Sequence, residues 1–215
     1  MWLSLDASTS VGSVAVIDDD TVVASGQVAM RGATEERLLP EVVRVVTAAG
    51  GWEHLTAVWV GGGPGSFTSL RIAASIAKGI ATARGLPLWS GSSLALAAAD
   101  PALGEGTFVI ALDALRGEVY VQEFSRLHGA TVALGPWRRL STASAQSLAS
   151  EAGVRLVSLA EPNGRPHAAH LPGLLRSELA APVELASWEP DYGRLAEAQV
   201  AWEVRHGRPL QARPG

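Results

Sequence analysis

The residues best suited to chemistry are a glycine-rich run, two aspartates at strand ends and a close pair of histidines. Gly61-Gly62-Gly63-Pro64-Gly65-Ser66-Phe67-Thr68-Ser69-Leu70-Arg71-Ile72 joins an apolar strand to a small-residue helix. Glycine loops that feed a helix can cradle phosphate through exposed N–H groups and the helix dipole. Here the spacing argues against it: no Lys-Ser/Thr pair follows Gly65, as a P-loop requires, and the GxGxxG dinucleotide spacing is missing. Gly63, Pro64, Gly65 and Ser66 are therefore read as a structural turn. Its glycines reach positive φ, Pro64 fixes one backbone angle and Ser66 caps the orphan N–H groups of the helix. A hydrolase elbow would put glycine two residues either side of the serine, where Pro64 and Thr68 stand, so Ser66 is not read as a nucleophile.

Metal-assisted transfer or hydrolysis needs converging imidazole and carboxylate ligands, typically with two histidines one helical turn apart. Of His54, His128, His167, His170 and His206, only His167 and His170 are close. They follow the loop Asn163-Gly164-Arg165-Pro166 with no third ligand to name, so they read as surface or helix-start residues and no metal is assigned. The absence of cysteine excludes disulfides, thiolate catalysis and thiolate-bound zinc. No catalytic residue is expected. Asp6 ends the apolar run Leu3-Ser4-Leu5, and Asp113 ends Val109-Ile110-Ala111-Leu112. On residue grounds they cap strand-end N–H groups and the Ser8-Thr9-Ser10 turn.

A net charge of −4 and a single lysine, Lys78, argue against a chain that carries a nucleic-acid contact by itself. Arg138-Arg139 reads as a solvated strand end. With 47% hydrophobic residues among 215, a packed core is expected. The apolar stretch from 72 to 83 is broken by Ser75, Lys78 and Gly79, and the N-terminus lacks a basic start. Neither a membrane span nor a signal peptide is expected, which fits a cytoplasmic protein. The seven tryptophans are too evenly spread for a base-stacking platform and read as core and edge packing.

These residues must be positioned by short elements. Trp2 to Asp6, Val11 to Ile17 and Thr21 to Val28 read as strands, and Asp18-Asp19-Asp20 as a hairpin turn. Thr34 to Ala49 has helical spacing, with Pro40 in its first turn or at a kink, and Gly50-Gly51 stops it. Ala57 to Val60 is a buried strand, Ser66 to Arg84 a second helix, Leu86 to Trp89 a strand and Ala95 to Ala99 helical. A boundary near Asp100-Pro101 precedes strands at Thr107 to Asp113 and Val119 to Phe124. The two opening hairpins match, so a duplicated α/β subdomain is expected, 1–100 and 101–215. Leu195 to Val204 is helix-like, with Leu195, Ala198, Gln199 and Trp202 on one face, and the last eight residues form a mobile tail.

Several segments together resemble the TsaB (YeaZ) family. They are Leu3-Ser4-Leu5-Asp6-Ala7-Ser8-Thr9, Glu36-Arg37-Leu38-Leu39-Pro40, Gly63-Pro64-Gly65-Ser66-Phe67-Thr68 with Leu70-Arg71-Ile72, Asp113-Ala114-Leu115-Arg116-Gly117-Glu118-Val119-Tyr120 and Pro190-Asp191-Tyr192. The resemblance implies an actin-like (ASKHA) fold of two similar subdomains, each a mixed, five-stranded-type sheet flanked by helices. It implies a non-catalytic scaffold and activator that pairs with TsaD, with TsaE as a further partner, in threonylcarbamoylation of the adenosine beside the tRNA anticodon. TsaD-like sequences carry paired metal histidines in the first helix, where this chain has Thr34. It also implies a homodimer in isolation, tRNA contact only through the complex, and no cofactor of its own, ATP and Mg acting at the level of the complex. Asp6, Ser8, Thr9 and Asp113 then mark a relic nucleotide cleft. The apolar excess of the two helices implies an interface through Leu38, Leu39, Val42, Val46, Leu70, Ala74, Ala77 and Ala81. The alternatives are an actin-like ATPase or kinase with a live cleft and a metallopeptidase relative.

Overall fold

The computed structural model describes residues 1–30, 36–161, 163–193 and 205. The chain opens with strands β1 (Trp2–Asp6), β2 (Val11–Asp18) and β3 (Thr21–Ala29), followed by helix α1 (Leu38–Ala48). Strand β4 (Ala57–Gly61), helix α2 (Phe67–Arg84), strand β5 (Leu88–Gly91) and helix α3 (Ser93–Ala98) complete the first half. The second half holds β6 (Gly106–Asp113), β7 (Glu118–Leu127), β8 (Ala130–Ala133), β9 (Arg138–Ser141), α4 (Thr142–Glu151) and β10 (Arg155–Ser158). Helix α5 (Leu171–Arg176) and strand β11 (Ala180–Pro182) close it.

The sheets repeat one plan. β1 pairs antiparallel with β2 and parallel with β4; β6 pairs antiparallel with β7 and parallel with β10. The first sheet runs β11-β5-β4-β1-β2-β3; the second runs β10-β6-β7-β8, with β9 also on β7. Strand alternation divides the core. Leu3, Leu5, Val14, Val16, Val58 and Val60 pack under α1 and α2, whereas Ala15, Ile17 and Trp59 face a central layer shared with Phe108, Ile110 and Leu112. Val109 and Ala111 on the far face of β6 meet α4. Helix α3 is buried at every residue in that central layer, as a helix apolar on all sides must be. The result is two mixed sheets flanked by helices.

The expected boundary at 100 needs correction. Residues beyond it return to the first half: β11 pairs with β5, Ala168 N–H donates to Ser13 Oγ at 2.9 Å, and Asp191 N–H donates to the Gly62 carbonyl at 2.8 Å. The first sheet therefore gains its sixth strand from the second half, and one central core joins the two. Pro40 sits in the first turn of α1, where its missing N–H costs nothing, and the Glu36 carboxylate accepts from the Leu38 and Leu39 N–H groups there. The strand expected from Leu86 starts two residues later, because Gly85 is left-handed and Leu86 N–H returns to the Ala81 carbonyl to finish α2. The helix-like stretch 195–204, Trp202 and the terminal eight residues lie outside the described residues, as does the expected helix start at Thr34. No helix among the described residues is long and apolar enough to cross a membrane.

One capping expectation is also corrected. Ser66 occupies the N-cap position of α2, but its hydroxyl pairs with Ser69 Oγ at 3.0 Å and reaches no helix N–H. Ser92 does cap α3, accepting from Leu94 N–H at 3.2 Å and Ala95 N–H at 3.4 Å. Urea unfolding should therefore show Ser92→Ala costing about 1 kcal/mol. Ser66→Ala should cost about 0.5 kcal/mol or less.

Candidate functional site

The glycine turn is where distant segments meet. Gly63 has φ +91°, a Cβ there would overlap the Asp191 carbonyl, and a Cβ on Gly65 would overlap the backbone of Ser8. Ser66 N–H donates to the Ser8 carbonyl and Ser93 N–H to the Gly63 carbonyl, each at 2.8 Å. Phe67 packs on Tyr192 with ring centroids 4.5 Å apart, and the Tyr120 hydroxyl donates to the Tyr192 carbonyl at 3.3 Å. The β1–β2 turn, the glycine turn, Tyr120 and the 190–193 segment thus hold one another. The turn sets where α2 begins.

Asp6 belongs to the same knot. Fully buried, its Oδ1 accepts from Ser8 N–H at 2.9 Å and Ser8 Oγ at 2.7 Å, and its Oδ2 accepts from Ser93 Oγ at 2.6 Å. Thr9 Oγ1 is turned onto Val11, donating to its carbonyl and accepting from its N–H. Asp113 is exposed, and its Oδ1 accepts from Leu115 N–H at 2.8 Å, which holds a turn with Leu115 and Arg116 at positive φ. The two aspartates end strands of different sheets, and each is hydrogen-bonded within its own half. Both sit in the capping role their positions suggest.

Burial pushes the Asp6 carboxyl above the usual carboxylate range, against the pull of its bonds from Ser93 and Ser8. A carboxyl whose folded pKa lies above its unfolded value stabilises the fold when protonated. That contribution is complete below 3.8 and is lost as pH rises through the folded-state value. The urea midpoint of Asp6→Asn should therefore gain on wild type as pH rises from acid to neutral. A difference that stays flat with pH would contradict this assignment.

His167 and His170 begin a helical turn. His167 Nδ1 accepts from Ala169 N–H at 3.0 Å, and His170 Nε2 lies 3.9 Å from Asp100 Oδ1. Burial pushes both imidazoles below the ordinary histidine range. No cluster of three or more metal-capable side chains occurs among the described residues.

The expected interface residues divide. Leu38, Val42, Val46, Ala77 and Ala81 are buried against their own sheet, Leu70 and Ala74 are buried as well, and only Leu39, 44% exposed, faces out. A helix covering a sheet must bury one stripe, and Ala73, Ala77, Ile80 and Ala81 are that stripe on α2, the alanines bringing it close to β4. The outer face is a different set. Leu39 and Val43 (45% exposed) project from α1, and Arg71, Ile72, Ser75, Ile76 and Gly79 lie on the outer side of α2. Between the helices runs a groove of about 480 Å³ lined by Glu36, Leu39, Phe67, Arg71, Ile72 and Ile76. Apolar residues beyond the needed stripe were the signal for this surface.

The family model for TsaD, tRNA N6-adenosine threonylcarbamoyltransferase, matches residues 29–184. The chain belongs to the TsaD family. Within it, similar proteins carry the name tRNA threonylcarbamoyladenosine biosynthesis protein TsaB. That of Escherichia coli K12 is 37% identical over 127 residues, covering 58% of this chain and 54% of that protein. The chain thus spans about half the length of this relative. That of Bacillus subtilis 168 is 27% identical over 225 residues, covering 93% of this chain and 96% of that protein. Two solved structures from Pseudomonas aeruginosa share the architecture. One, described as similar to the peptidase YEAZ, is 28% identical with a TM-score of 0.71, covering 90% of this chain and 99% of that one. The other, YeaZ, is 27% identical with a TM-score of 0.70, covering 89% and 98%. The actin-like expectation agrees with this TsaD family fold.

Proposed function

We propose that the chain is a non-catalytic scaffold and activator subunit that pairs with TsaD in threonylcarbamoylation of the adenosine beside the tRNA anticodon. The observation that carries this reading is the outward apolar face of α1 and α2, where Leu39 stands exposed beside Ile72 and Ile76 and Val43 is exposed one turn further along α1. Contiguous apolar surface of this kind marks a protein–protein contact. The relatives' names supply the pathway. The carboxyl of Asp6 and the hydroxyls of Ser8, Ser66 and Ser93 are engaged in bonds that hold the fold, which supports work done by a surface.

A second copy competes with TsaD for the same face, because one patch serves a single partner at a time. TsaE, ATP, Mg and tRNA enter through the complex, in the cytoplasm. Net charge −4 and the Arg139–Glu118 ion pair at 3.6 Å agree with tRNA being held chiefly by another subunit. The test is modification of tRNA reconstituted with every component except this chain, which is then added back. Restored turnover is expected; modification at full rate without the chain would reject the reading.

A further inference from the structure

A cavity of about 240 Å³ opens on the α4 side of the second sheet, away from α1 and α2. Its position follows from a break in the sheet edge. β8 leaves β7 at Ala133 and β9 joins it at Arg138, so residues 134–137 arch past the middle of β7. The arch is pinned along its length. Leu134 N–H donates to the Glu123 carbonyl at 2.9 Å, Gln122 Nε2 donates to the Gly135 carbonyl at 2.8 Å, and Trp137 meets Tyr120 edge-on with ring centroids 5.6 Å apart. Val109, Val121, Leu134 and Leu148 give the cavity an apolar lining, and Glu123 and Arg138 add one charge of each sign.

Register brings these charges near each other without joining them. Arg138 stands opposite Val121, and Glu123 lies two residues further along β7, so strand alternation puts all three side chains on one face. Diagonal neighbours of this kind are about 7–8 Å apart, within the span of long side chains. Yet neither Glu123 nor Arg138 takes part in an ion pair or a side-chain hydrogen bond among the described residues, whereas Arg139, next along β9, pairs with Glu118 at 3.6 Å. In the same wall Gln122 Oε1 is buried without a hydrogen-bond partner, so the Glu123 side of the cavity holds acceptors to spare.

Pockets for drug-sized ligands occupy about 300–1,000 Å³, and this one is smaller. It has room for about eight waters at roughly 30 Å³ each, which is the size of one small amino acid. We propose that the cavity binds a free α-amino acid with a small aliphatic side chain, its carboxylate on Arg138, its ammonium on Glu123 and its side chain against Val109, Val121 and Leu148. A guanidinium takes a carboxylate through two parallel bonds, and a ligand with both charges on one carbon satisfies both walls at once. A ligand of single charge would leave the opposite wall unpaired. The site is separate from the outer face of α1 and α2 and from Asp6 and Asp113, none of which lines it. It stands whether or not TsaD is the partner.

The test titrates the full chain with L-valine and follows the methyl resonances of Val109, Val121 and Leu148, which should move along a saturable curve. Valinamide lacks the carboxylate and N-acetylvaline lacks the ammonium. Each should need at least about tenfold more ligand for half-saturation. Glu123→Gln and Arg138→Gln each remove one charge from a side chain that is not buried, and each should weaken L-valine by a similar factor. The two analogues decide the question on the unaltered protein even where a variant fails to fold. Shifts that do not saturate, analogues that act at the same concentration as L-valine, or folded variants that respond like wild type would overturn the proposal.

Discussion

Val43→Asp is expected to abolish recovery of TsaD with the chain while leaving the chain folded. Val43 is 45% exposed on the outer side of α1, one turn beyond Leu39, so in the free protein a charge there remains in water. Surface changes of this kind move stability by about 0.5 kcal/mol or less. In the proposed complex the same carboxylate would be buried without a partner, at a cost of roughly 3 kcal/mol or more. That corresponds to a loss of at least about 100-fold in affinity. Ala74 and Ala77 are unsuitable sites for this test. Each is buried within the chain itself, so a charge there would unfold the protein and would say nothing about docking. Co-purification together with a urea midpoint checks both halves of the expectation; a folded variant that still binds TsaD at wild-type strength would remove α1 from the interface.

Gly63→Ala is expected to be among the most damaging single-methyl changes in the molecule. At φ +91° an L side chain is strained, and the added Cβ would overlap the Asp191 carbonyl. Strain of this type costs about 1–3 kcal/mol. Displacing the 190–193 segment also weakens the Asp191 N–H to Gly62 carbonyl bond, at about 1 kcal/mol. The sum is about 2–4 kcal/mol, or a midpoint lowered by about 10 °C for a chain of this size. Gly79→Ala is the control: nothing lies within 4 Å of its added Cβ, on the exposed side of α2. It should stabilise the helix by up to about 1 kcal/mol. Calorimetry on the two variants should separate them in opposite directions, and equal midpoints would show that the glycine turn is not the constrained knot described above.

The first half of the fold is legible because its strands are long, alternate cleanly and pair with near neighbours in sequence. Trp2–Asp6, Val11–Asp18 and Thr21–Ala29 hydrogen-bond through short turns, and the repeat of an aspartate at the end of Val109 to Leu112 exposes the duplication. The later elements resist reading for a physical reason. β8, β9 and β10 are four residues each and β11 is Ala-Ala-Pro, whose partner β5 lies about ninety residues earlier. Helix α4, rich in alanine and serine, buries only Ala145 and Ala149 and so shows little periodicity. Ser66 is legible as a cap position, but the choice of its hydroxyl for Ser69 depends on side-chain geometry. Likewise the Ser93 hydroxyl that binds Asp6 comes from 87 residues away.

The outer apolar face was half legible. Two over-apolar helices carry more apolar surface than one sheet-covering stripe needs, yet composition does not say which stripe faces inward. The structure decides it by size: alanines on α2 allow close approach to the sheet, and the larger Ile72 and Ile76 stand toward the groove. Leu39 belongs to the outer set because Leu38 and Val42 already fill the inner one.

The chain contains no cysteine, so Leu39→Cys introduces a single thiol into the groove at an exposed position. The rate at which that thiol reacts with a small alkylating reagent, measured with and without TsaD, tests the docking face directly. At least tenfold slower reaction in the complex is expected, with no slowing for Leu127→Cys, a 64% exposed position at the end of β7 in the second half. An unchanged rate at position 39 in a complex shown to have formed would place the contact elsewhere and contradict the account.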